Sequence, residues 1–583
     1  MVNVKEDLKL STLNHSCAHL MANAVKNLYP HAMFWVGPVI EEGFYYDIDL
    51  GNNVISEEDL LSIEKEMKKL VKDNKLIKRL ELSRAEALEM FGKDPYKIDL
   101  IENMEEGTII TAYQQGDFVD LCRGPHVEST KVLKNFKLLK ASGAYFKGDS
   151  KNKVMQRIYG ICFETEEELQ AHLNLLEEAK QRDHRKIGKD LGLFMSHELV
   201  GPGFPMYLPN GSVIRRILER YIVDKEVKLD YNHVYTPSIA TTELYKISGH
   251  WDHYKDDMFP VMELDKESLV LRPMNCPHHM LIYKNSLHSY RDLPIRIGEL
   301  AHDFRYEASG AVTGIERVRE MCQNDAHIFV RPDQIKEIVS EVVALILGVY
   351  KDFNLKNYRF RLSLRDKNNK EKYYDSDEMW EKAENELRNV LRELNIDFYE
   401  MEGEAAFYGP KLDVQIKTAI GHDLTLSTCQ LDFLLPERFD LTYVNEKGEK
   451  VRPVVIHRAI LGTIDRFMAL MIEEFKGAFP AWLAPLQVNI IPVSNEHHLE
   501  YSNMVKEKLL EANLRANVDS RDEKLGYRMR ESQTKKIPYS LIIGDAERDN
   551  NQVSFRKYGE TNTTTVSIDE FISFLNEEIK NKK

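Results

Sequence analysis

No single hydrophobic core can take up 583 residues, because cores stop growing at about 250–300 residues. The places where the apolar pattern changes therefore decide what this chain can fold into, and the length predicts three or four units. Residues 1–162 mix short β-type runs, such as Gly43 to Ile48 and Arg157 to Phe163, with helical pieces such as Glu57 to Lys72, which reads as an α+β domain. The chain then turns polar, with Leu169, Leu173 and Leu176 at helical spacing and Arg182, Arg185, Lys186 and Lys189 behind them. This predicts an amphipathic linker helix over 163–185. A second change comes at Pro485, after which apolar strands and helices alternate: Val488 to Val493, Leu499 to Ala512, Lys524 to Lys535, Tyr539 to Gly544 and Val553 to Lys557. Residues 482–583 are thus predicted to form a compact α/β domain.

Between these limits, 186–481 is expected to be an antiparallel sheet with helices around it. The Gly- and Pro-dense stretch Gly201 to Asn210 reads as a loop, followed by a helix over Ser212 to Asp230 with one buried face. Tyr235-Thr236-Pro237 marks an extended entry or an edge, since proline lacks the ladder donor. Two β-rich stretches, Lys411 to Ile420 and Asp423 to Phe433, flank Gly421-His422 as an antiparallel hairpin, and long helices are read over Gln334 to Phe353 and Asp377 to Leu394. There is no Gly-x-Gly-x-x-Gly or Walker loop, so any nucleotide site is built differently.

A formal net charge of -15 argues against a general polyanion binder. A local patch remains open: Arg521 to Lys536 holds six basic side chains against three acidic ones, which reads equally as an RNA surface or a solvated helix face. Six scattered cysteines give no disulfide framework and no signal peptide precedes them, which fits a reducing cytoplasm. The longest apolar run, Val342 to Tyr350, is about half the ~20 residues a membrane-spanning helix needs.

Phe304-Arg305-Tyr306-Glu307 with Arg317-Val318-Arg319 downstream, and Gly462-Thr463-Ile464-Asp465-Arg466 on a helix, resemble the second and third motifs of class II aminoacyl-tRNA synthetases. The Ser212 helix ending at Pro237 resembles the first. With Met274-Asn275-Cys276-Pro277 and Asp325-Ala326-His327 in the same order, the chain resembles threonyl-tRNA synthetases over nearly its whole length. The resemblance implies a multidomain α+β and α/β protein: a class II antiparallel core, an N-terminal editing domain and a C-terminal anticodon-binding domain. It implies threonine, ATP and tRNA(Thr) as substrates and a homodimer through the Ser212 helix. Arg305 would hold the α-phosphate, Glu307 the adenine amino group and Arg466 the γ-phosphate side, with Mg²⁺ bridging phosphates. Guanidinium suits this because its charge is permanent and its donors form a rigid fork. Met321 stands where the family usually stacks a phenylalanine on adenine; a thioether can still cover a ring.

Cys276, His327 and His457 are too far apart for any spacing rule, and a lone histidine or cysteine is more often a core residue than a ligand. By resemblance of their flanks they are the family's zinc ligands, one ion per subunit. Three protein ligands leave Zn²⁺ an open position, and threonine would chelate it through its amino and hydroxyl groups. A site demanding a hydroxyl rejects valine, which an apolar pocket cannot do. The resemblance gives Asp325 the hydroxyl proton, Gln323 and Tyr408 the amino group, Lys411 and Gln430 the pocket wall, and His250 a place near the terminal adenosine. His278 replaces a common glycine and either crowds the site or stands by.

Serine carries the same groups as threonine and loses only about 1–3 kcal/mol of binding, so a second, hydrolytic site is expected. His15 and His19 lie four apart, as do Cys122 and His126, and spacing alone reads as a zinc site. The resemblance instead implies the editing domain shared by threonyl and alanyl synthetases, acting on seryl-tRNA with help from Lys97 and Asp120. Metal, or direct handling of water and ester, both remain open. The small β-rich domain that usually comes first in the family has no room before His15. In the C-terminal domain Glu547 and Arg556 match positions that read anticodon bases, and Asp522 stands where asparagine is common. Other classes fit less of the chain: a non-ligating RNA-binding regulator, a prolyl or seryl ligase, or a free-standing editing hydrolase.

Overall fold

The computed structural model describes residues 3–149, 151–373, 376–418 and 423–583, so the Gly421-His422 turn lies outside the described residues. The chain divides into two compact units, Met1–Glu178 and Ala179–Lys583.

In the first unit the helix Leu8–Leu28 is capped by Asp7, whose carboxylate accepts from the amides of Lys9 and Leu10. Nearly every residue from Leu13 to Val25 is buried, so this helix is the unit's axis. It packs against an antiparallel sheet in the order Met33–Phe34, Gly43–Asp49, Val154–Phe163, Asn135–Tyr145, with Val39–Ile40 pairing beside Gly43–Asp49. The predicted Glu57–Lys72 helix forms, started by a Ser56/Asp59 capping box. A three-stranded sheet, Ile77–Leu82, Ile110–Gln115 and Phe118–Leu121, completes the unit.

The linker departs from the single helix expected. It is two helices, Glu166–Arg182 and His184–Asp190. Asp183 breaks them, because its backbone is non-helical (φ -52°, ψ 114°) and its carboxylate caps the second helix at the Arg185 amide.

The second unit is built on an eight-stranded sheet: Asn232–His233, Ile295–Phe304, Glu320–Val330, Val454–Thr463, Asp423–Asp432, Lys411–Lys417, Tyr358–Leu364, Phe398–Glu402. Its six central strands are antiparallel, as expected, while both edge strands pair in parallel. Helices Pro209–Val227, Ile335–Asp352, Asp377–Glu393 and Ile464–Glu474 pack around it. The first starts three residues before the Ser212 expected, because Pro209 takes the first-turn position that suits its fixed φ and missing amide. It buries Ile214, Leu218 and Ile222, while Met206–Tyr207 pairs with Phe194–Met195 inside the stretch read as a loop.

The C-terminal sheet runs Ala516–Val518, Val488–Pro492, Tyr539–Ile543, Gln552–Lys557, Thr564–Ser567, half parallel and half antiparallel. Helices Asn495–Glu511 and Leu525–Thr534 match the expectation. Ile568–Lys580 was not read from the sequence. No helix among the described residues is long and apolar enough to cross a membrane.

Candidate active site, editing cluster and RNA domain

Residues paired across an antiparallel sheet share a face, so register places side chains from distant parts of the chain in one row. Lys411 pairs with Gln430, Gln430 with His457, and His457 with His327. The next row on the same face runs Asp413, Thr428, Ala459, Asp325, Glu299. Gln323 follows beyond a bulge. Cys276 comes from outside the sheet, on the first turn of helix Cys276–Lys284. Its sulfur and one nitrogen each of His327 and His457 lie within 4.8 Å of one another, all three residues buried.

This group can hold a metal ion. His457 places Nε2 2.8 Å from Asp432 Oδ2, which leaves Nδ1 free. His327 places Nδ1 2.8 Å from His279 Nδ1, and its Nε2 is buried without a partner. An orphaned buried ring nitrogen facing a thiol and a second imidazole is what a tetrahedral cation would satisfy. Burial, reinforced by Asp325, Asp303 and Asp432, pushes the Cys276 thiol well up, so a thiolate here needs a cation beside it. Carboxylates backing ligand histidines fix tautomer and ring orientation. Asp432 had a signal in the sequence: it is two residues past Gln430 on the same strand.

The cluster opens into a cavity of about 540 Å³ lined by Asp303, Asp325, Gln323, Tyr408, Lys411 and Gln430 among others. The Tyr408 hydroxyl donates to Gln430 Oε1 at 2.5 Å, and its ring stacks on His457 with centroids 4.9 Å apart. Burial, with Asp303 next among the causes, pushes Asp325 well up, which keeps it poised to share a proton with a ligand. Asp303 is raised to about 7 by burial, against the pull of Arg272 and Arg305. His250 does not reach the cavity wall: it is fully buried behind Phe407 and Tyr254, with Nδ1 2.8 Å from Ser248 Oγ, and His253 lines the wall instead. His278 is buried, its ring centroid 6.5 Å from that of Tyr245.

A second cavity of about 190 Å³ shares Arg305, Gln323 and Thr428 with the first and adds Glu307, Arg317, Met321 and Arg466. Arg466 sits on the first turn of helix Ile464–Glu474, where amides point outward and favour anions. Its guanidinium is pulled down by burial and then by Arg305 and Arg317; cations crowded this way suit a polyphosphate. The Arg305 Nε is buried without a partner. Glu307 is not free, because Arg317 grips its carboxylate at 2.9 and 3.0 Å.

In the N-terminal unit the four predicted residues also meet. His15 and His19 project from the Leu8–Leu28 helix, and Cys122 and His126 from the segment after Phe118–Leu121. Cys122 Sγ lies 3.0 Å from His15 Nε2 and 3.1 Å from His126 Nε2. These are hydrogen-bond contacts, and the ligand atoms of all four residues lie within 4.8 Å of one another, close enough to hold a metal ion as well. Burial lowers His19 well below its ordinary value and His126 to about 2, and raises Cys122 to about 12, so all three are neutral. Behind His19, Lys97 Nζ meets Asp120 Oδ1 at 2.5 Å, and Tyr46 donates its hydroxyl to Asp120. Nothing in the sequence singled out Tyr46.

In the C-terminal domain both Glu547 oxygens are engaged, one by the Ser554 hydroxyl at 2.6 Å and one by the Gly544 amide at 2.9 Å. Arg556 reaches Thr563 Oγ1 at 3.2 Å. The basic stretch is less exposed than counted: Arg528 is buried on the carbonyls of Asp519 and Pro492, and Arg521 pairs with Asp519 and Glu531.

Family models match three segments: the class II core domain of tRNA synthetases (G, H, P, S and T) over 259–475, an anticodon-binding domain over 487–578, and the second additional domain of threonyl and alanyl tRNA synthetases over 110–159. The threonine--tRNA ligase of Geobacillus sp. (strain WCH70) is 60% identical over 573 residues, covering 98% of this chain and 89% of its own. That of Listeria monocytogenes serotype 4a (strain HCC23) is 59% identical over 566 residues, covering 97% and 88%. Among solved structures, the RNA-binding domain of threonyl-tRNA synthetase from Cryptosporidium parvum Iowa II aligns with a TM-score of 0.65 at 34% identity, covering 68% of this chain and 98% of that one. The putative threonyl-tRNA synthetase ThrRS-1 from Aeropyrum pernix gives 0.62 at 28%, covering 69% and 96%.

Proposed function

The chain belongs to the threonine--tRNA ligase family of class II aminoacyl-tRNA synthetases, and from that premise we propose how its residues divide the work. The activity is ATP-dependent joining of threonine to its tRNA, with hydrolytic editing of seryl-tRNA(Thr). The work falls to an editing domain over 1–162, a linker over 163–185, a catalytic domain over 186–481 and an anticodon-binding domain over 482–583, paired as a homodimer.

Cys276, His327 and His457 hold one Zn²⁺ per subunit. The observation that carries this is the orphaned Nε2 of His327, aimed at a buried thiol and a second imidazole whose far nitrogen is already taken by Asp432. When bound, the ion supplies Lewis-acid coordination for an amino and a hydroxyl group. The chain's own residues do the rest. Asp325 receives the hydrogen bond of the side-chain hydroxyl, and Gln323 and Tyr408 orient the amino group. Lys411 and Gln430 close the pocket, from the same row as the two imidazoles. Arg305 and Arg466 hold the phosphates of Mg·ATP, and Glu307 takes the adenine amino group once Arg317 releases it. Attack on the α-phosphate forms no bond to the enzyme, so catalysis is positioning and charge stabilisation.

The editing cluster of His15, His19, Cys122 and His126 acts on water and ester, through its own side chains or through a metal ion that the four could hold. Lys97 and Asp120 anchor that site from behind, and Glu547, on the helix Asp545–Asn550, and Arg556, on the strand Gln552–Lys557, contact the anticodon from the C-terminal domain. Metal analysis and threonine-dependent pyrophosphate exchange on one sample test the scheme. One zinc per chain with exchange that valine does not support is expected; metal-free protein with full exchange would overturn it.

A further inference from the structure

The two ring ligands are held from behind in different ways, and the difference reaches beyond the site described above. His457 leans on a carboxylate directly. His327 leans on another imidazole: Nδ1 of His327 and Nδ1 of His279 are 2.8 Å apart, and Nε2 of His279 is 3.1 Å from Glu299 Oε2. All three residues are buried, with Glu299 only 2% exposed.

Donor and acceptor geometry along this line selects one arrangement; Asn275 Nδ2 also approaches His279 Nε2, but at 3.5 Å it is farther than the Glu299 oxygen at 3.1 Å and is itself closer to Glu299, at 3.2 Å. Glu299 already receives the Thr236 amide at 2.9 Å, the Thr236 hydroxyl at 2.9 and 3.1 Å, Asn275 Nδ2 at 3.2 Å and Arg272 Nη1 at 3.4 Å. A carboxylate so surrounded by donors is an acceptor only. The His279 Nε2 therefore carries the hydrogen it donates to Glu299. In a neutral ring the His279 Nδ1 is then a bare lone pair, and among the described residues the partner placed to fill it is an N–H on His327 Nδ1. That hydrogen leaves the His327 Nε2 as a lone pair, aimed at Cys276 and His457. The reverse tautomer would place an N–H in the buried centre, where the Asp325 Oδ2 at 3.7 Å is too far to accept it, and two lone pairs against each other at 2.8 Å.

We propose that His279 and Glu299 are positioning residues for the metal centre: a carboxylate–imidazole line that writes the tautomer of His327, so that its Nε2 is presented ready-made to a divalent cation. The inference rests on the reading that this cluster takes zinc. The line also ties the centre to two other elements, because Thr236 precedes the proline that ends the first class II motif and Asn275 precedes the ligand Cys276. One buried carboxylate thus sets both the ring behind the sheet ligand and the residue before the helix ligand.

The test measures zinc affinity of the full-length protein by competition with a chromophoric chelator, together with the ligand-field spectrum after Co²⁺ substitution. His279→Asn keeps an amide oxygen near the place of the lost Nδ1 acceptor, whereas His279→Leu keeps bulk but no acceptor. Loss of a backing partner typically weakens metal binding by about 10–100-fold. His279→Leu is expected to fall in that range with an altered Co²⁺ spectrum, and His279→Asn to stay within about threefold of the parent, well inside that window. Far-UV circular dichroism of the chelated proteins checks that each variant folds, and Glu299→Gln, which perturbs the far end of the line, gives a second reading if His279→Leu does not fold. Should His279→Leu bind zinc as tightly as the parent with an unchanged spectrum, or should both His279 variants lose affinity equally, the proposal is overturned. A parent protein that takes up no zinc overturns the underlying reading instead.

Discussion

Lys97→Met tests whether the buried pair at the editing cluster is structural, chemical or both. Lys97 Nζ lies 2.5 Å from Asp120 Oδ1 with both side chains 3% exposed, and it also donates to the Trp35 carbonyl at 2.9 Å. Removing one member of a buried ion pair costs about 3–5 kcal/mol, because the other charge is left uncompensated. Asp120 keeps two donors, the Leu121 amide at 2.9 Å and the Tyr46 hydroxyl, so the cost belongs near the lower end. About 3–4 kcal/mol corresponds to a rise of roughly 100- to 1,000-fold in the opening constant of the N-terminal unit. Native-state amide exchange in the buried middle of the Leu8–Leu28 helix reads that directly. Adding Asp120→Asn removes the stranded charge and should return most of the protection, while seryl-tRNA hydrolysis stays lost in both variants and charging with threonine continues. Exchange in Lys97→Met within about threefold of the parent would show that the pair breaks even against its desolvation, and the reasoning would fail.

The two chemistries should separate by mutation. Cys276→Ala is expected to abolish threonine-dependent pyrophosphate exchange while seryl-tRNA hydrolysis persists, and His19→Ala to do the reverse; equal loss of both in either variant would refute the division. Discrimination should follow the hydroxyl: activation kcat/KM for valine about 10⁴-fold below threonine, but for serine only about 10–200-fold below. Gly249→Ala should lower the melting temperature of the catalytic domain, since Gly249 has φ 83° and an added Cβ would lie 1.8 Å from an Arg438 guanidinium nitrogen. The left-handed backbone alone costs about 1–2 kcal/mol for a residue with a side chain; an unchanged melting curve would contradict this.

How legible the molecule is from its residues depends on the range of the interaction that decides each feature. Helices governed by their own periodicity, such as Glu57–Lys72 with its Ser56/Asp59 capping box and the amphipathic Asp377–Glu393, stand where the pattern puts them. The linker break does not, because Asp183 is an acceptable helix residue until its carboxylate finds the Arg185 amide. Parallel edge strands escape notice since a two-residue run such as Asn232–His233 carries no period. At the site, HxxxH and CxxxH are local and announce themselves. The metal set is not: His327 and His457 become neighbours only through strand register, and resemblance rather than spacing found them. The surroundings of His250, buried against Phe407 and Tyr254, and of His278, beside Tyr245, come from tertiary packing that no local pattern announces. The partners of Glu547, the Gly544 amide and the Ser554 hydroxyl, likewise come from the fold of its own domain.

Strand register sets the spacing of the two imidazoles proposed as ligands, so the interstrand distance between His327 and His457 is the bite of that site. Deleting one residue within Glu320–Val330 would keep a strand of similar hydrophobicity yet flip the side chains beyond the deletion to the opposite face. On the proposed zinc assignment, metal retention is therefore a gauge of strand alignment, and ion release on heating should report slippage of the sheet before any bulk loss of its β-structure.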